Sequence, residues 1–203
     1  MTIVIATGNE GKIAEFERIF AAAEIDADIV SAKSVGIDMS KIEETGDSFA
    51  QNAFIKASDA HALCGLPVVA DDSGLCVDAI GGEPGIYSAR YSGENATDEK
   101  NIEKLLLKLK DIPDEKRTAR FYCCICAVFD GVTITAEETC EGKIGYEKKG
   151  ENGFGYDPVF YVGGKSFAQI SDGDKDEISH RGKALRAFAK KLRGGPDAGK
   201  PAD

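Results

Sequence analysis

Four groups of polar residues interrupt otherwise ordinary apolar runs. They are Thr7 to Lys12, the pair Glu43-Glu44, the segment Asp71-Asp72-Ser73-Gly74, and a set in the last third comprising Phe154-Gly155-Tyr156-Asp157, Lys175 and Ser179-His180-Arg181. The first reads Thr7-Gly8-Asn9-Glu10-Gly11-Lys12 and follows the apolar run Ile3-Val4-Ile5-Ala6. Glycine lets the backbone approach a ligand closely. Thr7 and Asn9 offer side-chain hydrogen bonds, and Asn9 can cap the helix that follows. A helix amino terminus favours an anion, and Lys12 adds a full positive charge there. This chemistry suits a phosphate, without the glycine spacing of a Walker loop. The same pattern also describes a plain strand-turn-helix with a solvated lysine.

The Asp71-Asp72 pair follows the buried strand Leu66-Pro67-Val68-Val69-Ala70, which is expected to stop there. In open α/β sheets, ligands collect outside the carboxyl ends of strands. Two adjacent carboxylates repel each other unless a cation intervenes. A hard divalent ion would relieve that repulsion, neutralise phosphates and orient water. The alternative is a solvated acidic turn. In the last set, the rings of Phe154 and Tyr156 can stack on a heterocycle. Asp157 accepts hydrogen bonds, and Lys175, His180 and Arg181 donate them to carbonyl oxygens. The bland alternative is core aromatics in a turn plus an exposed basic helix. Taken together, a phosphate loop, paired carboxylates and a base-sized set point to a nucleoside triphosphate and a metal. Spacing alone does not say which bond breaks.

These groups need elements to position them. A first strand at residues 2–6 leads into a helix with Ile13, Phe16, Ile19 and Phe20 on one stripe. An extended piece near Ala27–Ser31 returns to the sheet, and residues 36–47 read as loop. Asp47 or Ser48 caps a second helix that places Ala53, Ala57 and Ala60 on one face, with Asn52 and Lys56 sharing another. Thr97 opens an amphipathic helix with Ile102, Leu105, Leu106 and Leu109 inward. Two strand-like runs, Arg120–Phe129 and Val132–Glu141, flank Asp130-Gly131, a strong hairpin signal. Lys175 to Leu192 reads as one helix with Ile178, Leu185, Phe188 and Leu192 inward. Early alternation of helix and strand followed by a hairpin implies an α/β domain with a mixed sheet. The domain is expected to span residues 1–193, with a disordered tail at 194–203.

Thirty-five acidic against 25 basic residues give a net charge of -10, which disfavours binding to nucleic acid. No run approaches the ~20 apolar residues of a membrane span. The start lacks a basic region and reads as a core strand rather than a signal peptide, so the cytoplasm is the expected location. Of the six cysteines, Cys123, Cys124 and Cys126 fall in a strand-like run and read as small buried hydrophobes. Only two histidines are present, so a metal here should be oxygen-ligated, as Mg2+ or Mn2+ are.

The motifs as a set are more specific than any one of them. Thr-Gly-Asn-x-x-Lys at 7–12, Ala-Asp-Asp-Ser-Gly-Leu at 70–75 and Gly-Gly-x-Pro-Gly-Ile-Tyr-Ser-Ala-Arg at 81–90 occur in order. Gly-Phe-Gly-Tyr-Asp-Pro at 153–158 and Ile-Ser-His-Arg-Gly at 178–182 follow. From residue 3 to about 193 the chain resembles the non-canonical purine nucleoside triphosphate pyrophosphatases, also called inosine triphosphate or XTP/dITP diphosphatases. The resemblance implies hydrolysis of ITP, dITP and XTP to the monophosphate and pyrophosphate. It also implies Mg2+ dependence, a homodimer, and an elongated mixed α/β fold with two lobes flanking a central nucleotide-binding cleft.

Carried over residue by residue, Thr7, Gly8, Asn9, Glu10, Gly11 and Lys12 resemble the triphosphate grip, and Lys56 adds phosphate charge. Asp72 resembles the general base and a metal ligand, with Ser73 a substrate contact beside it. Glu43 resembles the second metal ligand. Phe154, Gly155, Tyr156 and Asp157 resemble the base-binding wall, closed by Lys175, His180 and Arg181. Glu44 and Asp71 each neighbour a chosen residue. Two rivals remain: a pyrophosphatase for modified pyrimidine or methylated nucleotides, and a nucleotide-sensing module without catalysis.

Overall fold

A computed structural model describes residues 1–129 and 131–193. The hairpin signal at Asp130 and the tail at 194–203 therefore lie outside the described residues. Strand β1 (Thr2–Ile5) runs into helix α1 (Glu10–Ala22) across the polar loop. Asn9 caps α1 by accepting the Lys12 N–H at 3.1 Å, and Phe16, Ile19 and Phe20 form its buried stripe. Strand β2 (Asp28–Ser31) lies parallel to β1, with Thr2 opposite Asp28 and Ile5 opposite Ser31. Helix α2 (Phe49–Cys64) starts from Ser48, whose side chain accepts the Gln51 N–H. It ends at Gly65, where φ of 67° needs a residue without Cβ. Ala53, Ala57 and Ala60 are fully buried, as their spacing implies.

Strand β3 (Val68–Val77) pairs in parallel with β1. Helix α3 (Asp98–Lys108) is capped by Thr97, and strands β4 (Thr118–Phe129) and β5 (Val132–Ile144) follow. Two short strands, β6 (Phe160–Val162) and β7 (Lys165–Ser166), add antiparallel pairings next to β5. Helices α4 (Asp172–Ile178) and α5 (His180–Arg193) close the described chain. The sheet has the order β2-β1-β3-β4-β5-β6-β7 and is mixed, as the sequence implies.

The chain divides into two compact units. The first comprises Met1–Asp72, Cys123–Glu138 and the chain from Arg181 onward. Its core joins Ile3, Ile5, Phe16, Phe20, Val69, Ile125, Leu185 and Phe188, with Phe20 and Phe188 stacked at 6.1 Å. The second comprises Ser73–Tyr122 and Thr139–His180. Leu75, Ile102, Leu105, Leu109, Phe121, Phe160 and Phe167 are in its core. Arg117 is buried there at 1% exposure. It donates to the carbonyl oxygens of Ile144 at 2.8 Å, Leu109 at 2.6 Å and Gly145 at 2.7 Å.

Two elements depart from expectation. Strand β3 does not stop at Asp71 but continues through Asp71-Asp72-Ser73-Gly74 to Val77. Both carboxylates sit in mid-strand because each finds a buried cation, as described below. The single helix expected over 175–192 is broken at Ser179, whose φ of -70° and ψ of 158° are extended. The break resets the helical phase, so Ile178, expected inward, is 38% exposed, while Leu185 and Phe188 are buried. The cysteine reading holds: Cys123, Cys124, Cys126 and Cys140 are buried, and none of the six forms a disulfide. Burial pushes the Cys124 thiol up to about 12, which keeps it an inert apolar side chain.

Replacing Arg117 with Met would remove its donors from the carbonyls of Ile144, Leu109 and Gly145, of which Leu109 keeps the Ile112 N–H at 3.0 Å, at about 1–3 kcal/mol for each group left unsatisfied. Arg117→Met should lower the unfolding free energy by on the order of 3 kcal/mol or more in urea titration. A midpoint equal to that of the unmodified protein would refute this role.

Candidate functional site

Successive side chains of a strand point to opposite faces, so β3 separates its two carboxylates. Asp71 is 1% exposed and is held from two sides. Lys12 Nζ lies 2.7 Å from Oδ1, and Arg181 donates from Nε and Nη2 to Oδ2, both at 3.1 Å. Arg181 reaches on through Nη1 to the buried carboxylate of Glu15 on α1. The ladder Lys12–Asp71–Arg181–Glu15 thus balances two cations with two anions. Burial alone would push Asp71 up, but Lys12 and Arg181 together hold it well below the usual carboxylate range. Burial also disfavours the Arg181 charge, and Asp71 and Glu15 outweigh it, so the guanidinium stays protonated.

Asp72 belongs to a second ion-pair set. Its Oδ1 accepts from Lys56 Nζ at 3.0 Å, and the same ammonium lies 2.8 Å from Glu44 Oε1. Glu43, expected as the second metal ligand, is exposed. The loop before α2 is extended, and residues 42, 44 and 46 are half-buried while 41, 43, 45 and 47 are exposed. This two-residue alternation turns Glu44 inward and Glu43 outward. Burial pushes Asp72 up, Lys56 opposes the rise and Glu44 reinforces it, leaving Asp72 above the ordinary carboxylate value. Lys56 also stays charged: burial works against it, and Asp72, Asp71 and Glu44 prevail.

The donor set suits a hard cation. Asp72 Oδ2 is buried and has no hydrogen-bond partner among the described residues. Carboxylate oxygens are what Mg2+ prefers, and Glu44 is tied to the same lysine as Asp72. Among the described residues, no group of three or more His, Cys, Asp and Glu side chains is placed to hold a metal ion. A cation on Glu44 and Asp72 would therefore take its remaining donors from water and phosphate oxygens, a common arrangement for Mg2+.

The loop from Thr7 to Lys12 has the strand-turn-helix geometry its sequence implies. Thr7 Oγ1 accepts the Asn9 N–H at 3.2 Å, which tightens the turn, while Gly8, Asn9 and Glu10 are exposed at the start of α1. Thr7 and Gly8 border a depression of about 500 Å³ that Lys33 and Ser40 also line. Lys12 faces inward from the first turn, at 17% side-chain exposure. Ser73 follows Asp72 on β3 and is half-buried.

In the second unit, Asp157 Oδ2 accepts from the Phe154 N–H at 2.9 Å and from Lys175 Nζ at 2.7 Å. A Cβ at Gly153 would stand 2.1 Å from that oxygen, and φ there is 77°, so glycine is required. Lys175 Nζ also lies 4.7 Å from the centroid of the half-buried Phe154 ring. Gly155 N–H donates to Asp98 Oδ2 at 2.7 Å. Tyr156, expected as part of a stacking wall, is instead buried, and its hydroxyl donates to the Ser88 carbonyl at 2.9 Å. His180 stacks on Phe121 at 4.6 Å. Phe154, Asp157 and Lys175 are therefore a contiguous set.

Sequence reasoning assigned no role to Glu15 or Asn52. The signal for Glu15 was an acid on the stripe shared by Lys12 and Ile19, three and four residues away. For Asn52 it was the face shared with Lys56. Arg181 was expected at the base, whereas the structure buries it against Asp71 and Glu15.

A model of the Ham1 family matches residues 3–191. The chain belongs to the Ham1 family. The dITP/XTP pyrophosphatase of Escherichia coli K12 is 46% identical over 198 residues, covering 95% of this chain and 98% of that protein. The dITP/XTP pyrophosphatase of Geobacillus kaustophilus is 48% identical, covering 90% of each chain. A solved Ham1 protein from Coxiella burnetii superposes with a TM-score of 0.86 at 38% identity, covering 96% of this chain and all of its own. The mixed α/β fold is thus that of the family. No helix among the described residues is long and apolar enough to cross a membrane.

The Asp71 ladder makes a prediction about pH. The unfolded chain protonates Asp71 near the ordinary value of about 3.9, and the folded chain only at lower pH. The stabilisation is therefore complete above about 3.9 and is lost as pH falls toward the folded value. Asp71→Asn should reduce stability by about 3–5 kcal/mol at pH 7, and the gap should narrow in melts at pH 3. A gap independent of pH would rule out the charged ladder as its source.

Proposed function

We propose that this protein hydrolyses the triphosphates of deaminated purines, ITP, dITP and XTP, to the nucleoside monophosphate and pyrophosphate. The reaction clears such bases from the nucleotide pool. One observation carries the catalytic reading: Asp72, buried in mid-strand, has one oxygen held by Lys56 and the other without a hydrogen-bond partner among the described residues. The substrate reading rests on the Ham1 relatives named dITP/XTP pyrophosphatase that match nearly the whole chain.

Water attacks the α-phosphorus and pyrophosphate departs. Asp72 aligns that water and accepts its proton. The loop from Thr7 to Lys12 binds the phosphates through backbone N–H groups and the Lys12 ammonium. Lys12 and Lys56 stabilise charge on the departing oxygens. Asp72 and Glu44, rather than Glu43, hold Mg2+, which when bound neutralises phosphate charge and polarises the phosphoryl group. Ser73 contacts the substrate beside them. Arg181 acts through Asp71, which orients Lys12, rather than by touching the base.

Phe154, Lys175 and His180 recognise the base. The half-buried Phe154 ring offers a stacking face, and Lys175 and His180 donate to the carbonyl at purine C6, with Asp157 fixing Lys175. Adenine presents an amino group at that position and would leave buried donors unpaired, a penalty of about 1–3 kcal/mol. The enzyme works as a homodimer in the cytoplasm, where the nucleotide pool lies. The absence of disulfides among six cysteines is in keeping with a reducing compartment.

The test is to incubate the protein with ITP, XTP, GTP or ATP plus Mg2+ and to measure pyrophosphate against orthophosphate. ITP and XTP should yield pyrophosphate, and ATP little. Release of single orthophosphates would contradict cleavage at the α-phosphorus, and nucleotide binding without turnover would favour a sensor. Asp72→Asn should lower kcat by about 10²–10⁴-fold while circular dichroism stays unchanged; an active variant would remove Asp72 from the mechanism.

A further inference from the structure

The loop that carries Glu44 is gripped by one face of α2. Lys56 meets the Glu44 carboxylate at 2.8 Å. One turn earlier on the same face, Asn52 Oδ1 accepts the Gly46 N–H at 2.8 Å. Two more bonds fasten the end of the loop. Asp47 N–H donates to Gln51 Oε1 at 2.7 Å, and Gln51 N–H donates to Ser48 Oγ at 3.2 Å. Gly46 fits only because it lacks a side chain. A Cβ there would stand 2.6 Å from Gln51 Cβ and 2.8 Å from Asn52 Oδ1. Residues 44 to 46 therefore have little latitude.

The amide at position 52 is the informative choice. Asn52 is 0% exposed, and its Nδ2 has no hydrogen-bond partner among the described residues. Buried donors are rarely left so, because desolvation is then uncompensated. Aspartate would accept the same Gly46 N–H and carry no donor to satisfy. It would also add a third carboxylate to the helix face that presents Lys56, in competition with Glu44 and Asp72 for that ammonium and for a cation. The unpaired amide is thus the neutral way to anchor Gly46. Resting on the pyrophosphatase reading above, we propose that Asn52 is a positioning residue for the metal-binding carboxylate Glu44. It fixes the loop through Gly46 so that Glu44 and Asp72 present oxygens to one divalent cation before the nucleotide arrives.

Mn2+ alone, titrated into the protein and followed by the loss of its free electron paramagnetic resonance signal, tests this directly. The Mg2+ half-saturation of ITP hydrolysis is measured alongside KM for ITP at saturating Mg2+. Asn52→Ala should weaken Mn2+ binding and raise the Mg2+ requirement about 10–100-fold, with a smaller change in KM. Gly46→Ala, which displaces the loop by crowding Gln51 and Asn52 while leaving the Asn52 side chain in place, should shift both in the same direction. Ala60→Gly, in the buried apolar face of the same helix, should lower the melting temperature and leave Mn2+ binding unchanged. Asn52→Ala and Gly46→Ala binding Mn2+ as the unmodified protein does would overturn the proposal, as would Ala60→Gly weakening it equally. An unmodified protein that cleaves ITP yet binds no Mn2+ alone would also overturn it. Failure of the unmodified protein to release pyrophosphate from ITP or XTP would instead sink the pyrophosphatase reading itself.

Discussion

Two aspartates side by side in the middle of a buried strand need a cation each. Strand pleating sends Asp71 and Asp72 to opposite faces, and the chain supplies Lys12 and Arg181 to one and Lys56 to the other. That requirement organises the first unit. It fixes how α1 presents Lys12, how α2 presents Lys56, and why the first turn of α5 contributes a buried arginine. It also assigns different chemistry to adjacent residues. Two cations hold Asp71 ionised well below the usual carboxylate range. Asp72, with one cation and a nearby glutamate, is left with a raised proton affinity. Burial is severe at both positions, so the number of neighbouring charges decides the outcome.

Much of this was legible in the sequence. The helical stripes of α1 and α2, the cap at Asn9 and the buried cysteines follow from spacing and composition alone. The mixed sheet follows from the order of the elements. What was not legible depended on partners far along the chain. The strand was expected to end at Asp71 because buried carboxylates are costly without compensation. The compensation comes from Arg181, 110 residues away. The expected unbroken helix over 175–192 followed a continuous apolar period, yet extended Ser179 interrupts it at the Ser-His-Arg motif.

The candidate site was legible in its composition and less so in its roles. Choosing Glu43 over Glu44 was a matter of one residue in a loop with no helical period to guide it, and the burial alternation of residues 41–47 turns Glu44 rather than Glu43 toward Lys56. Tyr156 looked like a stacking surface because its ring sits within a glycine-rich segment. The structure turns it inward to Ser88, leaving Phe154 half-buried above Lys175. Residues that hold others, such as Glu15 and Asn52, carry no motif of their own. They show only as polar side chains on helix faces otherwise given to packing or to a lysine.

The pairing of Lys12 with Asp71 carries a consequence for how long an anion must be to bind well. An incoming phosphate does not meet a bare ammonium; it competes with a carboxylate already 2.7 Å away. A lone orthophosphate gains only the difference between two similar partners. On the proposed mechanism, a chain of three phosphates would engage the loop amides, both lysines and the cation at once, so its advantage would grow with each added group. On that mechanism the protein would resist occupancy by abundant small anions, and a mimic intended to block it would need a polyanionic arm rather than a better heterocycle.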